Sequence, residues 1–229
     1  MIRLMTYNIR GTIGMDNGYS AERVADVIRT SGAQIVCLQE VHTFRKESGN
    51  VDQPAVFGKM LGMHVAFQRN YRCGIGGLGN AVLTNLDFWQ TRSHILTSDG
   101  EQRGVLEVQI VSPEGPLTLF CTHLGLTGKE RLTQTTELAA LLNAASAPKL
   151  ICGDFNEEAK DAGVRELIKS AGLVDSAPNG KPTFDAAKPK NRIDMVLCDP
   201  SIKVLATSVL SSEASDHLPL VVDLELPAK

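Results

Sequence analysis

Aromatic residues are scarce in this chain, at 5% of 229 residues with a single tryptophan, Trp89, and there are only five cysteines. No two cysteines form a CxxC pair and the five histidines do not cluster at ligand spacing, which removes the usual zinc-site readings. Most of the cysteines lie inside apolar runs (IVCLQ, LFCTH, LICGD, MVLCD), where a thiol behaves as a small hydrophobe, so buried free thiols in a reducing, cytoplasmic compartment are expected. No window approaches the eighteen apolar residues of a membrane span, and MIRLMTYNIRG meets polar residues too early for a signal peptide. Low-complexity stretches and Pro/Ser-rich linkers are also missing, so one domain over residues 1–229 is expected, with 43% hydrophobic content to fill its core. A basic excess is lacking too. The formal net charge of −3 supplies no general attraction to polyanions, which disfavours tight non-specific duplex binding and leaves room only for a local basic cleft.

What the chain does contain is a repeated syntax. IRLMTYNIR reads as a strand ending at Asn8. SAERVADVIRTSG reads as a helix with Ser20 as N-cap, Val24, Val27 and Ile28 on one face and Gly32 as stop, and QIVCLQE as a strand ending at Glu40. Later, LTLFCTHLG ends near His123. A helix with the capping box Thr127-x-x-Glu130 follows, carrying Leu132, Leu138, Leu141 and Leu142, and KLICGDFN ends at Asp154. Asn8 to Glu40 is 32 residues and His123 to Asp154 is 31. Two β-α-β units therefore each bring two polar residues to one edge of a sheet, because a crossover helix makes its flanking strands parallel. Such strand ends are where open α/β sheets bind ligands. Further strands are expected at MHVAFQ, GNAVLTN, GVLEVQIVS, RIDMVLCD and SDHLPLVVDLEL, with helices at DQPAVFGKMLG and AGVRELIKSAG. Many strands and few helices point to two sheets packed face to face and covered outside by helices.

Each polar group at these edges has a bland reading and a chemical one. Asp154 and Asn156 stand at i and i+2, so in an extended chain both face one way and could polarise and orient a water; GDFN could equally be a turn. Glu40 could be a surface acid or an oxygen ligand for a hard cation such as Mg²⁺. Asp194, inside the apolar run RIDMVLC, needs a partner, since an unpaired buried carboxylate is costly. An imidazole is the cheapest one, and spacing does not say whether His123 or His217 supplies it. Gly74 to Gly79 fit G-x-G-x-x-G but lead into a strand instead of a helix, so a flexible rim loop is expected in place of a dinucleotide site. Arg45, Lys46, Arg69 and Arg72 beside these segments are candidates for gripping an anionic substrate, against a reading as ordinary solvated charge. Cys121 and Cys152, two residues before His123 and Asp154, are expected to pack beneath the cleft.

Taken together and in order, TYNI, LQE, GNAVLT, CTHL, GDFN, RIDMV and SDHLPL resemble the endonuclease/exonuclease/phosphatase superfamily over essentially the whole chain. The resemblance implies a four-layered α/β sandwich of two mixed sheets with helices outside, and a metal-dependent phosphoester hydrolase. It implies Glu40 as principal Mg²⁺ (or Mn²⁺) ligand with Asn8 near the metal or phosphate, and Asp216 holding a second cation or a water. It further implies Asp154 and Asn156 orienting the attacking water, Asp194 and His217 as the carboxylate-histidine couple, His123 as a second phosphate-facing histidine and Asn80, in GNAVLT, as a substrate contact. Abasic-site endonucleases carry an aromatic beside the motif matching RIDMV, whereas Lys190, Asn191 and Arg192 stand here. The expected substrate is therefore a phosphodiester with a small or lipid-derived leaving group, handled by a monomer with peripheral membrane contact. A nuclease acting on nucleic acid is the second reading and a catalytically silent binding scaffold the third.

Overall fold

The computed structural model describes residues 1–146 and 148–227. In chain order its elements are β1 (Ile2–Asn8), α1 (Ala21–Ser31), β2 (Ile35–Thr43), α2 (Gln53–Leu61), β3 (His64–Cys73), β4 (Gly76–Thr84), β5 (Asp87–Ile95) and β6 (Gly104–Ser112). There follow β7 (Gly115–His123), α3 (Gly128–Ala144), β8 (Lys149–Asp154), α4 (Ala162–Ala171), β9 (Val174–Asp175), β10 (Asp194–Cys198), β11 (Lys203–Val209) and β12 (Leu220–Glu225).

The strands form two six-stranded mixed sheets, β11-β12-β1-β2-β4-β3 and β5-β6-β7-β8-β10-β9. One apolar layer, including Leu4, Cys37, Val108, Leu119, Cys152 and Val222, lies between the sheets. A second joins α1 and α2 to the outside of the first sheet through Val24, Ile28 and Phe57. A third joins α3 and α4 to the second sheet through Leu138, Leu142, Val164 and Leu167. This is the expected four-layered sandwich. Each fully buried aliphatic side chain in it contributes about 1.5–3 kcal/mol of burial free energy against the entropy of ordering the chain.

Both β-α-β units are present. β1 pairs parallel with β2, with Asn8 opposite Gln39, and β7 pairs parallel with β8, with His123 opposite Asp154. Ser20 caps α1 by accepting from the Arg23 N–H, and Gly32 ends it in the left-handed conformation. In α3, Thr127 accepts from the Glu130 N–H as a capping box requires. The Glu130 carboxylate instead takes a hydrogen bond from Gln134 at 3.3 Å. Of the four leucines that α3 carries, Leu132 is exposed, whereas Leu138 and Leu142 are buried against the sheet.

Three further expectations are corrected. β2 does not stop at Glu40 but runs on to Thr43 through a bulge between Leu38 and Val41, where Glu40 adopts φ 52°. A bulge re-aims a side chain without ending a strand, and no periodicity announces it. The glycine-rich stretch is not a rim loop: Gly76 to Gly79 belong to β4, buried between neighbouring strands, and only Gly74 and Ile75 form the turn. Small residues are needed there because a Cβ on Gly79 would collide with the backbone of Gln68. The chain also does not stay extended beyond Asp154, since Asn156 sits at φ 53°.

Candidate active site

The site is built on the ends of β1, β7 and β8, the bulge of β2, the start of β10 and the segment before β12, and its centre is the Asp154 carboxylate. β8 delivers Asp154 by running against β7 so closely that Gly153 has no room for a side chain. A Cβ there would fall on the carbonyl of Thr122, at a backbone φ of 150°. Gly153→Ala is expected to destabilise the fold by roughly 3 kcal/mol, because the obstacle is backbone and cannot rotate away. A fall in the denaturant midpoint checks this, and an unchanged midpoint would contradict it.

Around Asp154 the polar groups converge. Oδ1 accepts the backbone N–H of Asn156 at 2.9 Å, so GDFN is a turn whose first side chain caps it. Oδ2 accepts from Asn8 Nδ2 at 3.0 Å and faces Nε2 of His123 at 3.4 Å and Nε2 of His217 at 3.6 Å. Burial, partly offset by His217, raises the Asp154 pKa to about 7. Asp194, buried in β10, has its imidazole partner in His217, whose Nδ1 lies 2.9 Å from Asp194 Oδ2. Burial opposes charge on His217, but Asp194, and then Asp154 and Asp216, outweigh it and raise its pKa to about 10. The ring of Phe184 packs on the imidazole with centroids 4.7 Å apart.

His123 is held differently. Arg103 Nη1 lies 3.2 Å from its Nδ1, and a guanidinium can only donate, so Nδ1 accepts and the proton on Nε2 points to Asp154 Oδ2 at 3.4 Å; Asn156 Nδ2, itself a donor, lies 3.1 Å from the same nitrogen and cannot accept from it. Burial, with the charges of Arg103 and His217, holds its pKa well below the ordinary histidine value. The pocket thus pairs a neutral N–H donor at His123 with a protonated one at His217. Asn156 is fixed by donating to the Leu124 carbonyl at 2.9 Å.

Asn8 bridges the two carboxylates of the site. Its Nδ2 donates to Glu40 Oε1 at 2.9 Å as well as to Asp154, while its Oδ1 accepts the Arg10 N–H at 3.0 Å. The Asn8 oxygen is therefore already engaged, whereas Glu40 keeps an oxygen, Oε2, that accepts no hydrogen bond among the described residues. Burial raises the Glu40 pKa, and the carboxylate has no ion-pair partner among the described residues; its one side-chain hydrogen bond comes from a neutral amide. A half-buried carboxylate in that state fits a hard divalent cation, which prefers oxygen and needs only one or two carboxylates. Ligand atoms of Asp154, Asp194 and His217 also lie within 4.8 Å of one another. There, however, the imidazole would have to give up a proton it holds strongly, so Glu40 suits Mg²⁺ or Mn²⁺ better. Asp216 lies 3.5 Å from Arg10 Nε, and its Oδ1 is 3.3 Å from Ser215 Oγ, whose single proton goes to the Asn8 carbonyl at 2.8 Å.

The remaining predicted residues lie further out. Asn80 is buried between the sheets, with Nδ2 donating to the carbonyls of Gly104 and Cys121. Arg45 pairs with Glu47. Lys46, Arg69 and Arg72 make no ion pair among the described residues, and none of the four cations bonds to the groups around Asp154. Cys37, Cys121 and Cys152 are buried beneath the site, and Cys73 is exposed at the tip of the β3-β4 hairpin. Sequence reasoning missed Arg103 and Arg10. Arg103 was findable, since it immediately precedes the strand whose first residue, Gly104, pairs with His123. Arg10 carries no such signal, because its approach to Asp216 depends on a left-handed backbone at Arg10 and Gly11.

Residues 5–217 match the model of the Endonuclease/Exonuclease/phosphatase family. An uncharacterized protein of Escherichia coli K12, YbhP, is 29% identical over 98% of this chain and 96% of its own length. Among solved structures, an endonuclease/exonuclease/phosphatase from Beutenbergia cavernae superposes with a TM-score of 0.85 at 23% identity, covering 99% of this chain and 72% of that one. The human Nocturnin catalytic domain with bound sulfate anion gives 0.77 at 21%, covering 97% and 93%.

Proposed function

Since the chain belongs to the endonuclease/exonuclease/phosphatase family, we propose that it is a divalent-metal-dependent phosphoester hydrolase acting on a phosphodiester with a small or lipid-derived leaving group. The observation that carries the reading is the convergence on Asp154 Oδ2 of Asn8, His123 and His217 within 3.0–3.6 Å, with Asp194 held behind His217.

A phosphodiester is anionic and repels a nucleophile, so its hydrolysis requires neutralising the phosphoryl oxygens and presenting a water in line. A divalent cation held by Glu40, with Asp216 as a further oxygen donor, supplies Lewis-acid neutralisation when bound. The side chains do the rest. His217, protonated and locked by Asp194, and His123, neutral with its proton on Nε2, donate to phosphoryl oxygens as charge develops. Asp154, whose burial raises its proton affinity toward neutrality, accepts the proton of the attacking water, and Asn8 and Asn156 hold that carboxylate in one orientation. The preference for a small or lipid alcohol draws support from the net charge of −3 and from Lys190, Asn191 and Arg192 where the abasic-site branch has an aromatic.

Release of nitrophenol from bis-nitrophenyl phosphate tests the reading. Turnover is expected to vanish in excess chelator and return with Mg²⁺ or Mn²⁺. Glu40→Gln is expected to raise the metal concentration for half-maximal rate by at least roughly 10- to 100-fold, the range seen when a metal site loses a supporting group. No turnover of several diesters and monoesters by the metal-loaded wild type would instead support a silent scaffold. Nicking of plasmid at low enzyme concentration, without turnover of phospholipid diesters, would make it a nuclease.

A further inference from the structure

The chain is acidic overall, yet the wall formed by the β3-β4 hairpin tip and the turn after Phe44 is both basic and apolar. Because β2 continues past Glu40 to Thr43 and pairs there with the start of β4, the sheet extends beyond the site, ending in the β3-β4 hairpin tip and the turn after Phe44. Segments 44–50 and 69–75, FRKESGN and RNYRCGI, carry four cations and one acid on a protein of net charge −3. On the same two segments Ile75 is 81% exposed, Phe44 42% and Tyr71 38%. The tip and the turn touch: a side chain on Gly76 would run into the Phe44 carbonyl. The ring of Tyr19, 54% exposed, lies over Gly49 at the other end of the strip. Tyr71 and Arg72, opposite Leu78 and Gly77, are consecutive in β3 and point to opposite faces of the hairpin, so apolar and cationic groups surround its tip, with Lys46, Arg69 and Arg72 not ion-paired among the described residues.

We propose that this wall docks on an anionic phospholipid surface. Apolar side chains enter the headgroup boundary while the cations meet lipid phosphates, each contribution weak and the two together sufficient for reversible attachment. Charge complementarity selects this occupant over a second copy of the chain, whose matching wall would be equally positive. The wall continues β2 from Glu40, so docking sets the crevice facing the bilayer; this purpose, though not the docking itself, rests on the hydrolase reading above.

The test is sedimentation with vesicles of mixed phosphatidylglycerol and phosphatidylcholine, against phosphatidylcholine alone, at low salt. Wild type is expected to sediment with the anionic vesicles and to be released by salt. Ile75→Ser is expected to lower partitioning roughly tenfold, from its loss of buried apolar area, with turnover of the soluble diester unchanged as evidence of intact folding. Lys46→Glu with Arg72→Glu is expected to abolish sedimentation. The inference is overturned if wild type stays in the supernatant while hydrolysing the soluble diester, or if Ile75→Ser sediments like wild type. It is also overturned if the charge variants lose affinity for single-stranded DNA and wild type prefers that DNA to vesicles. Sedimentation without diester turnover would uphold the docking wall and refute the hydrolase reading instead.

Discussion

Asp154→Asn is expected to lower kcat on a phosphodiester by about 10³- to 10⁴-fold with little change in KM, the loss that follows removal of a positioned proton acceptor. The amide preserves shape and its one oxygen can still accept the Asn156 N–H, giving up only the Asn8 hydrogen bond, so binding geometry largely survives while the acceptor of the water's proton does not. The metal-free variant is also expected to melt no lower than wild type at pH 8. An acid whose folded pKa is raised to about 7 by burial gives stability that is present below its ordinary 3.8 and lost as pH rises through 7. At pH 8 the ionised carboxylate therefore weighs against the fold, and a neutral amide removes that weight. A kcat within tenfold of wild type would show that Asp154 is not the proton acceptor.

Asp194→Asn should have the next largest effect, a fall in kcat of roughly 10³-fold, as expected when a carboxylate that fixes a catalytic imidazole is replaced by its amide. The diagnostic is the pH profile. With Asp194 in place His217 keeps its proton up to about pH 10, so the donor persists across the neutral range. Without it, the alkaline limb of the rate profile is expected to move down toward the ordinary 6.5. The same sign governs stability: the raised histidine pKa contributes stability fully present below pH 6.5 and lost as pH climbs through about 10. The melting temperature of metal-free wild type should decline over that window, and that of Asp194→Asn should decline less. A variant with reduced kcat but an unmoved alkaline limb would assign Asp194 a packing role only.

The two parallel units were legible in the chain because each depends on local signals: an apolar run, a capping serine or threonine, a helical stripe, a second apolar run. Their consequence, polar residues delivered to a shared edge, follows from chain handedness and needs no coordinates. The edge strands β5 and β11 were not legible, because most of their residues meet water and only Phe88 in β5 and Val204 and Val209 in β11 pack on the core, too few to mark a period. The bulge at Glu40 escaped for a related reason. It is a property of two strands in register, and only one of them is in view at a time.

Composition, motif order and the lengths of the two crossovers by themselves determined the sheet sandwich, its face of polar strand ends and the small residues under that face, since each is set by neighbours along the chain. The tertiary structure alone decided which histidine pairs with Asp194, that Arg103 fixes the proton of His123, and that Asn8 turns its nitrogen and not its oxygen to the carboxylates. These are distances between residues far apart in the chain, and burial, which sets the charge state of each, exists only once both sheets have closed over them.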